Sequence, residues 1–186
     1  MFNFAIAHEI VEFNPCAQLE HPAKERRRDR VLTDAEIRRF WSVLDGEPPH
    51  IAAAFRLRLV TAQRGGEVHG MRWTDVDLDN RWWTIPGSVA KNGLAHRVPL
   101  SDLALEILFA LRDWQTAKMA ASPYVLSPAA RDPRRRRPTL ARLGLSDFRG
   151  HDLRRTAASR MASAGCPPAR HRQGAEPRRT GRYGRL

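Results

Sequence analysis

The sequence predicts a mainly helical domain with a small antiparallel sheet, an α+β arrangement, on three observations. Several stretches place apolar residues at helical spacing, and a central block alternates in the strand manner around turn signals. The third is size: 186 residues with 42% hydrophobic content suffice for one domain with a real core.

In chain order, Phe2 to Val11 has helical spacing without an opening cap, and Asn14-Pro15 stops it, so it reads as the end of a larger element. Lys24 to Arg30 is a charged stretch suited to a solvated linker, or to a segment crossing phosphates. Thr33-Asp34-Ala35-Glu36 is a capping box that opens a helix through Ile37, Phe40, Trp41 and Leu44, with Gly46 and Pro48-Pro49 as its end. Ile51 to Thr61 is apolar on most sides and should be the central buried helix, delivering Arg64 at its exit.

Glu67 to Trp73 suits a short helix. Val76 with Leu78, Trp82 to Ile85, and Arg97 to Leu100 alternate as strands, with Asp79-Asn80 and Asn92-Gly93 as turns. Ser101 to Ala117 is amphipathic, with Leu103, Leu105, Ile107, Leu108, Leu111 and Trp114 apolar. Ser127 to Arg137, rich in proline and arginine, is expected to be a loop, with Arg134 to Arg137 either solvated or on phosphates. A last helix begins at or just after His151, runs through Ala157, Ala158 and Met161, and closes at Gly165 and Pro167-Pro168.

The net charge of +12 makes an anionic partner the expectation, with nucleic acid ahead of membrane because no apolar run approaches spanning length. No positively charged region followed by an apolar stretch opens the sequence, so secretion is not expected. Cys16 and Cys166 give neither a disulfide framework nor a metal site, so each is expected to be inert and partly buried in a reducing cytosol, with a cytoplasmic location.

Phosphate chemistry enters with His151-Asp152-Leu153-Arg154-Arg155. His151 and Arg154 are three residues apart and share a helix face, so an imidazole and a guanidinium can address one phosphate, and Arg64 at another helix start completes a clamp. Lys91, just before the Asn92-Gly93 turn, sits where a hairpin tip reaches a cleft. Each has a plainer alternative: a surface helix-end arginine, a solvated turn lysine, an N-cap or core histidine.

In this order and spacing the set resembles the tyrosine recombinase family of phage-type integrases. Thr61-Ala62-Gln63-Arg64-Gly65-Gly66-Glu67-Val68 is similar to its first arginine box, Lys91 to its hairpin lysine, and His151-Asp152-Leu153-Arg154 to its second box. The resemblance covers about Val31 to Gly165 and implies the DNA breaking-rejoining catalytic fold over residues 31–168. Residues 1–30 would then be the end of a DNA-gripping domain with its linker.

It further implies DNA integration or excision through a 3′-phosphotyrosyl intermediate, without metal or other cofactor and with no small-molecule substrate. Double-stranded DNA would be the partner, with a homo-oligomer assembling on it in intact members of phage or other mobile elements. Arg64 and Arg154 would stabilise charge on the non-bridging phosphate oxygens, Lys91 would protonate the departing 5′-oxygen, His151 would assist proton transfer and Glu67 would orient Arg64.

The pattern breaks after Gly165. The family expects an apolar helix, a Leu-Gly-His or Leu-Asn-His motif and then the nucleophilic tyrosine, whereas residues 169–186 show no apolar periodicity. Read from the second base of each codon, with CGN for arginine, Arg170 to Gln173 is compatible with Val-Ile-Ala-Lys, and Gly174 to Pro177 with Val-Leu-Asn-His. A frameshift near Pro167 or Pro168 accounts for this.

On that reading 169–186 is an out-of-frame, disordered basic tail, Tyr183 is not the nucleophile, and this chain is catalytically defective. The tail holds six arginines against Glu176, leaving +7 of the +12 charge elsewhere. Two other classes stay open: a non-catalytic DNA-binding remnant, and a type IB topoisomerase-like enzyme, against which the short chain and integrase-like boxes argue.

Overall fold

The computed structural model describes residues 2–17, 29–118, 122–127, 130, 132–145 and 147–166. Its helices are α1 (Phe2–Ala7), α2 (Asp34–Asp45), α3 (Pro49–Val60), α4 (Gly65–Gly70), α5 (Asp102–Ala117), α6 (Pro133–Leu143) and α7 (Gly150–Ser163), and its strands are β1 (Val76–Asp77), β2 (Trp82–Ile85) and β3 (His96–Pro99). The mainly helical fold with a small antiparallel sheet is the one expected.

The capping box forms as its residues dictate. The Thr33 hydroxyl accepts from the Glu36 N–H at 3.3 Å, and Glu36 Oε2 accepts from the Thr33 N–H at 2.9 Å. That backbone bond foremost, with Arg30 on Oε1 at 2.7 Å, holds the Glu36 carboxyl below its ordinary value against the effect of burial. Gly46 caps the helix end, but Pro48 and Pro49 do more than stop it: Pro48 is the N-cap of α3 and Pro49 its first residue, where a missing N–H costs nothing.

Helix α3 is the buried axis of the domain, packed against α2, α4, α5 and α7. Ile51, Ala52, Ala53, Ala54, Phe55 and Leu57 are buried, and Phe55 meets Phe40 of α2 edge-on with centroids 6.3 Å apart. Since α3 is apolar nearly all round, its place at the centre follows from the hydrophobic effect.

The strands order β1-β2-β3, all antiparallel, with Trp83 opposite Val98 and Ile85 opposite His96. Alternation puts Trp83, Ile85 and Val98 into the core, while Arg97 on the other face stacks over Trp82 at 4.5 Å. Asn92-Gly93 does not form a tight two-residue hairpin turn: residues 86–95 make a wider loop, with Gly93 in the left-handed region at φ 72°.

Several expectations are corrected. The segment expected as a loop from Ser127 to Arg137 contains the start of helix α6, opened by Asp132, whose side chain accepts from the Arg134 N–H at 2.8 Å, and by Pro133 at the first helical position. Buried Thr139 and Leu143 fix α6 to the body, Arg142 pairs with buried Glu47, and Pro138 removes one donor without ending the helix. In α5, Leu103 is exposed rather than core, as is Met161 in α7.

Both cysteines are exposed, because Cys16 lies in the turn after Pro15 and Cys166 follows Gly165 at the end of α7. Helix α1 ends at Ala7, short of Val11, and buries none of its residues. Residues 24–28 of the charged stretch, and the proposed frameshift with Tyr183, lie outside the described residues. No helix among the described residues is long and apolar enough to cross a membrane.

Candidate active site

The two arginine boxes are built alike. Each begins a helix with glycine, Gly65 for α4 and Gly150 for α7, and each carries a buried carboxylate three positions after the cap residue. Glu67 Oε2 accepts from the Arg64 N–H at 2.9 Å, and Asp152 Oδ2 accepts from the Arg149 N–H at 2.8 Å, so each acid satisfies an orphan donor at its own helix start. Fold and site meet here, since the same side chains close the helices and hold the arginines.

Glu67 Oε1 also accepts from Arg64 Nη1 at 2.9 Å, which is the orienting contact expected for that residue. Burial pushes the Glu67 carboxyl up, but the bonds from Arg64 and the charges of Arg64 and Arg154 together carry it below its ordinary value. Arg154, half-buried, donates from Nη1 to the Ala62 carbonyl at 2.7 Å and thereby ties α7 to the turn that leads into the first box. Burial first, then the charge of Arg64, draws the Arg154 guanidinium below its ordinary value, with Glu67 opposing. The Glu67 carboxylate, bonded to Arg64, thus also lies within the field of Arg154 from a helix far away in sequence.

His151 is exposed at the start of α7. Loss of surrounding water and the positive charges of Arg155 and Arg154, then of Arg58, lower its pKa against the pull of Asp152. An imidazole in that setting is neutral near pH 7 and offers a free lone pair for a proton.

Lys91 is not brought into this network. It is exposed on the 86–95 loop. The loop nevertheless lies close by: Val89 packs so near Gly70 of α4 that a Cβ there would meet its Cγ1 at 3.1 Å, and His96 Nε2 lies 3.4 Å from Gln63 Oε1, next to Arg64. Of the four expected residues, Arg64, His151 and Arg154 share one neighbourhood and Lys91 stands at its edge.

Sequence reasoning missed Arg58, whose guanidinium sits between the two boxes and donates to the Gly150 carbonyl at 2.5 Å. Its one signal, shared with Arg56, was a charged side chain in a mostly apolar helix. Asp152 was read only as part of a motif, yet it caps α7 and also accepts from Arg155 at 3.3 Å.

Residues 30–170 match the phage integrase family. The chain belongs to that family. Among its relatives, the prophage integrase IntZ of Escherichia coli K12 is 35% identical over 111 residues, 58% of this chain and 28% of that protein. A shufflon-specific DNA recombinase of Escherichia coli is 31% identical over 167 residues, 89% of this chain and 41% of that protein.

This phage integrase family chain therefore spans well under half the length of these relatives. Its fold is that of a lambda integrase dimer bound to a COC′ core site (TM-score 0.62, 24% identity, 88% of this chain and 63% of that one). It is also that of the XerA recombinase (TM-score 0.62, 19% identity, 76% of this chain and 53% of that one).

Proposed function

We infer that this chain carries the catalytic portion of a site-specific DNA recombinase, acting in integration or excision, and that as it stands it lacks the nucleophile. The observation that carries this is the convergence of Arg64, Glu67 and Arg154, with His151 beside them, at two glycine-led helix starts. Helix N-termini and paired guanidiniums both favour a phosphate, and the donors are set before any ligand arrives.

In the intact reaction a tyrosine oxygen attacks phosphorus, the P–O bond to the 5′-oxygen breaks, and a later 5′-hydroxyl reverses the step on another strand. Arg64 and Arg154 take the charge on the non-bridging oxygens, a contribution on the order of 2.7–4 kcal/mol per donor. Neutral His151 accepts or relays the tyrosine proton, and Lys91 delivers one to the departing oxygen.

Residues 31–168 form the catalytic unit on this reading, residues 1–30 the end of a DNA-gripping domain, and 169–186 the out-of-frame tail. Double-stranded DNA is the partner, oligomerisation occurs on it, and the setting is the cytoplasm.

A nicked duplex that traps covalent protein tests the reading, with the linked residue mapped by peptide sequencing. This chain should form no adduct, whereas a relative with the same boxes and an intact tyrosine frame should, and should lose it on Arg64→Ala or Arg154→Ala. An adduct at Tyr183 would overturn the frame assignment, and full adduct yield after either arginine substitution would overturn the roles.

A further inference from the structure

We propose that Arg58 is a positioning residue that locks the two arginine boxes together, setting the separation of Arg64 from His151 and Arg154. The role deepens the recombinase reading and rests on it. Arg58 lies on α3, three residues before the turn at Thr61, and reaches both boxes at once. A Cβ built on Gly65 would meet its Cζ at 3.0 Å, and one built on Gly150 would meet its Nη2 at 2.6 Å, so the planar guanidinium occupies the space that these two glycines leave open.

Each glycine has a negative φ, so its lack of a side chain serves this close approach and not backbone freedom. The bond from Nη2 to the Gly150 carbonyl at 2.5 Å fixes the first residue of α7, immediately before His151.

Three features make arginine the fitting residue. Its fork is flat enough to lie between two backbones, it is permanently charged, and it donates from more than one nitrogen. A leucine at this point of an apolar helix would fill volume but could not hold a carbonyl. Placing a cation under two helix N-termini is electrostatically unfavourable in itself. The bond to the Gly150 carbonyl and the space left by the two glycines hold it there nonetheless.

His151 reports on the arrangement. The charged groups that bear on it are Arg154, Arg155 and Asp152 from its own helix and Arg58 from α3, and the Arg58 charge disfavours the imidazolium. Arg58 thus helps keep the ring neutral while holding the backbone next to it.

NMR titration of His151 in this chain, with the arginine Nε–Hε signals recorded alongside, tests the proposal. Arg58→Met should raise the His151 midpoint and shift the Nε–Hε signals of Arg64 and Arg154 together. Gly150→Ala, whose Cβ pushes the guanidinium aside, should do the same with Arg58 present and add nothing to Arg58→Met. It carries the test if Arg58→Met does not fold.

Arg56→Met removes a cation from the same helix that stacks on Trp41 and pairs with Asp45, and it should leave His151 unmoved. An unchanged midpoint in a folded Arg58→Met chain, an equal shift from Arg56→Met, or independent addition of the Arg58 and Gly150 effects would overturn it. Failure of the chain to bind DNA would count against the recombinase reading alone, because the titration needs no DNA.

Discussion

Replacing Glu67 with glutamine isolates the carboxylate that holds Arg64. The side chain is 2% exposed and keeps its shape in the variant, so no cavity opens and the change is one of charge and donor count. In the wild type, one oxygen takes the Arg64 N–H and the other takes Arg64 Nη1, both at 2.9 Å. An amide offers one acceptor and turns an NH2 toward the second donor, so one charge-assisted bond is lost, worth about 1.5–3 kcal/mol.

The Arg64 side chain is 38% exposed and recovers part of that from water, which brings the expected loss to about 2 kcal/mol. For a chain of this size that lowers Tm by about 4–8 °C. Because the folded carboxyl is held below its ordinary 4.5, its stabilisation is complete above that value and disappears as pH falls through the lower folded value. The gap between wild type and Glu67→Gln should therefore be full at pH 7 and narrow under acid conditions, measured by urea denaturation across pH. A gap under about 0.5 kcal/mol at neutral pH, or one of constant size into acid, would refute this account of the Glu67 carboxylate.

Ala62 has φ 56°, a left-handed conformation that disfavours any residue with a Cβ, and Arg154 holds its carbonyl. Ala62→Gly removes about 1–2 kcal/mol of strain and adds about 0.4–1 kcal/mol of unfolded-state entropy, so a denaturation midpoint above wild type is expected. Thr156→Val should cost about 1–3 kcal/mol by the same assay, because the Thr156 hydroxyl accepts the buried Leu32 N–H at 2.9 Å and valine leaves that donor without a partner. DNA affinity followed by fluorescence anisotropy should fall with salt, and Arg64→Ala should reduce the logarithmic slope by about one. The coding DNA around Pro167, read in all frames, should contain an intact tyrosine-bearing frame; its absence would remove the frameshift proposal.

Much of this was legible in the sequence because it is written locally. Thr33 and Glu36 lie three residues apart as a capping box requires, the apolar run of α3 covers most of its sides, and β2 alternates as a half-buried strand must. His151 and Arg154 share a helix face for the same reason, and the spacing from Arg64 to Glu67 puts the acid at the position that caps the start of α4. Helix α6 was hidden because its arginines and Pro138 mask the start signal at Asp132-Pro133 and the buried positions Thr139 and Leu143.

What only the tertiary structure decided is which distant groups share one field. That Arg154 reaches the Ala62 carbonyl, that Glu67 lies in the field of Arg154 as well as Arg64, and that Arg58 lies between Gly65 and Gly150 depends on how α4 and α7 pack around α3. No local pattern encodes those separations, because they arise from close packing of side chains contributed by segments some ninety residues apart. The sequence by itself determined the helices, the boxes and the kind of chemistry their residues suit, and the packing about α3 made three of the four expected groups neighbours.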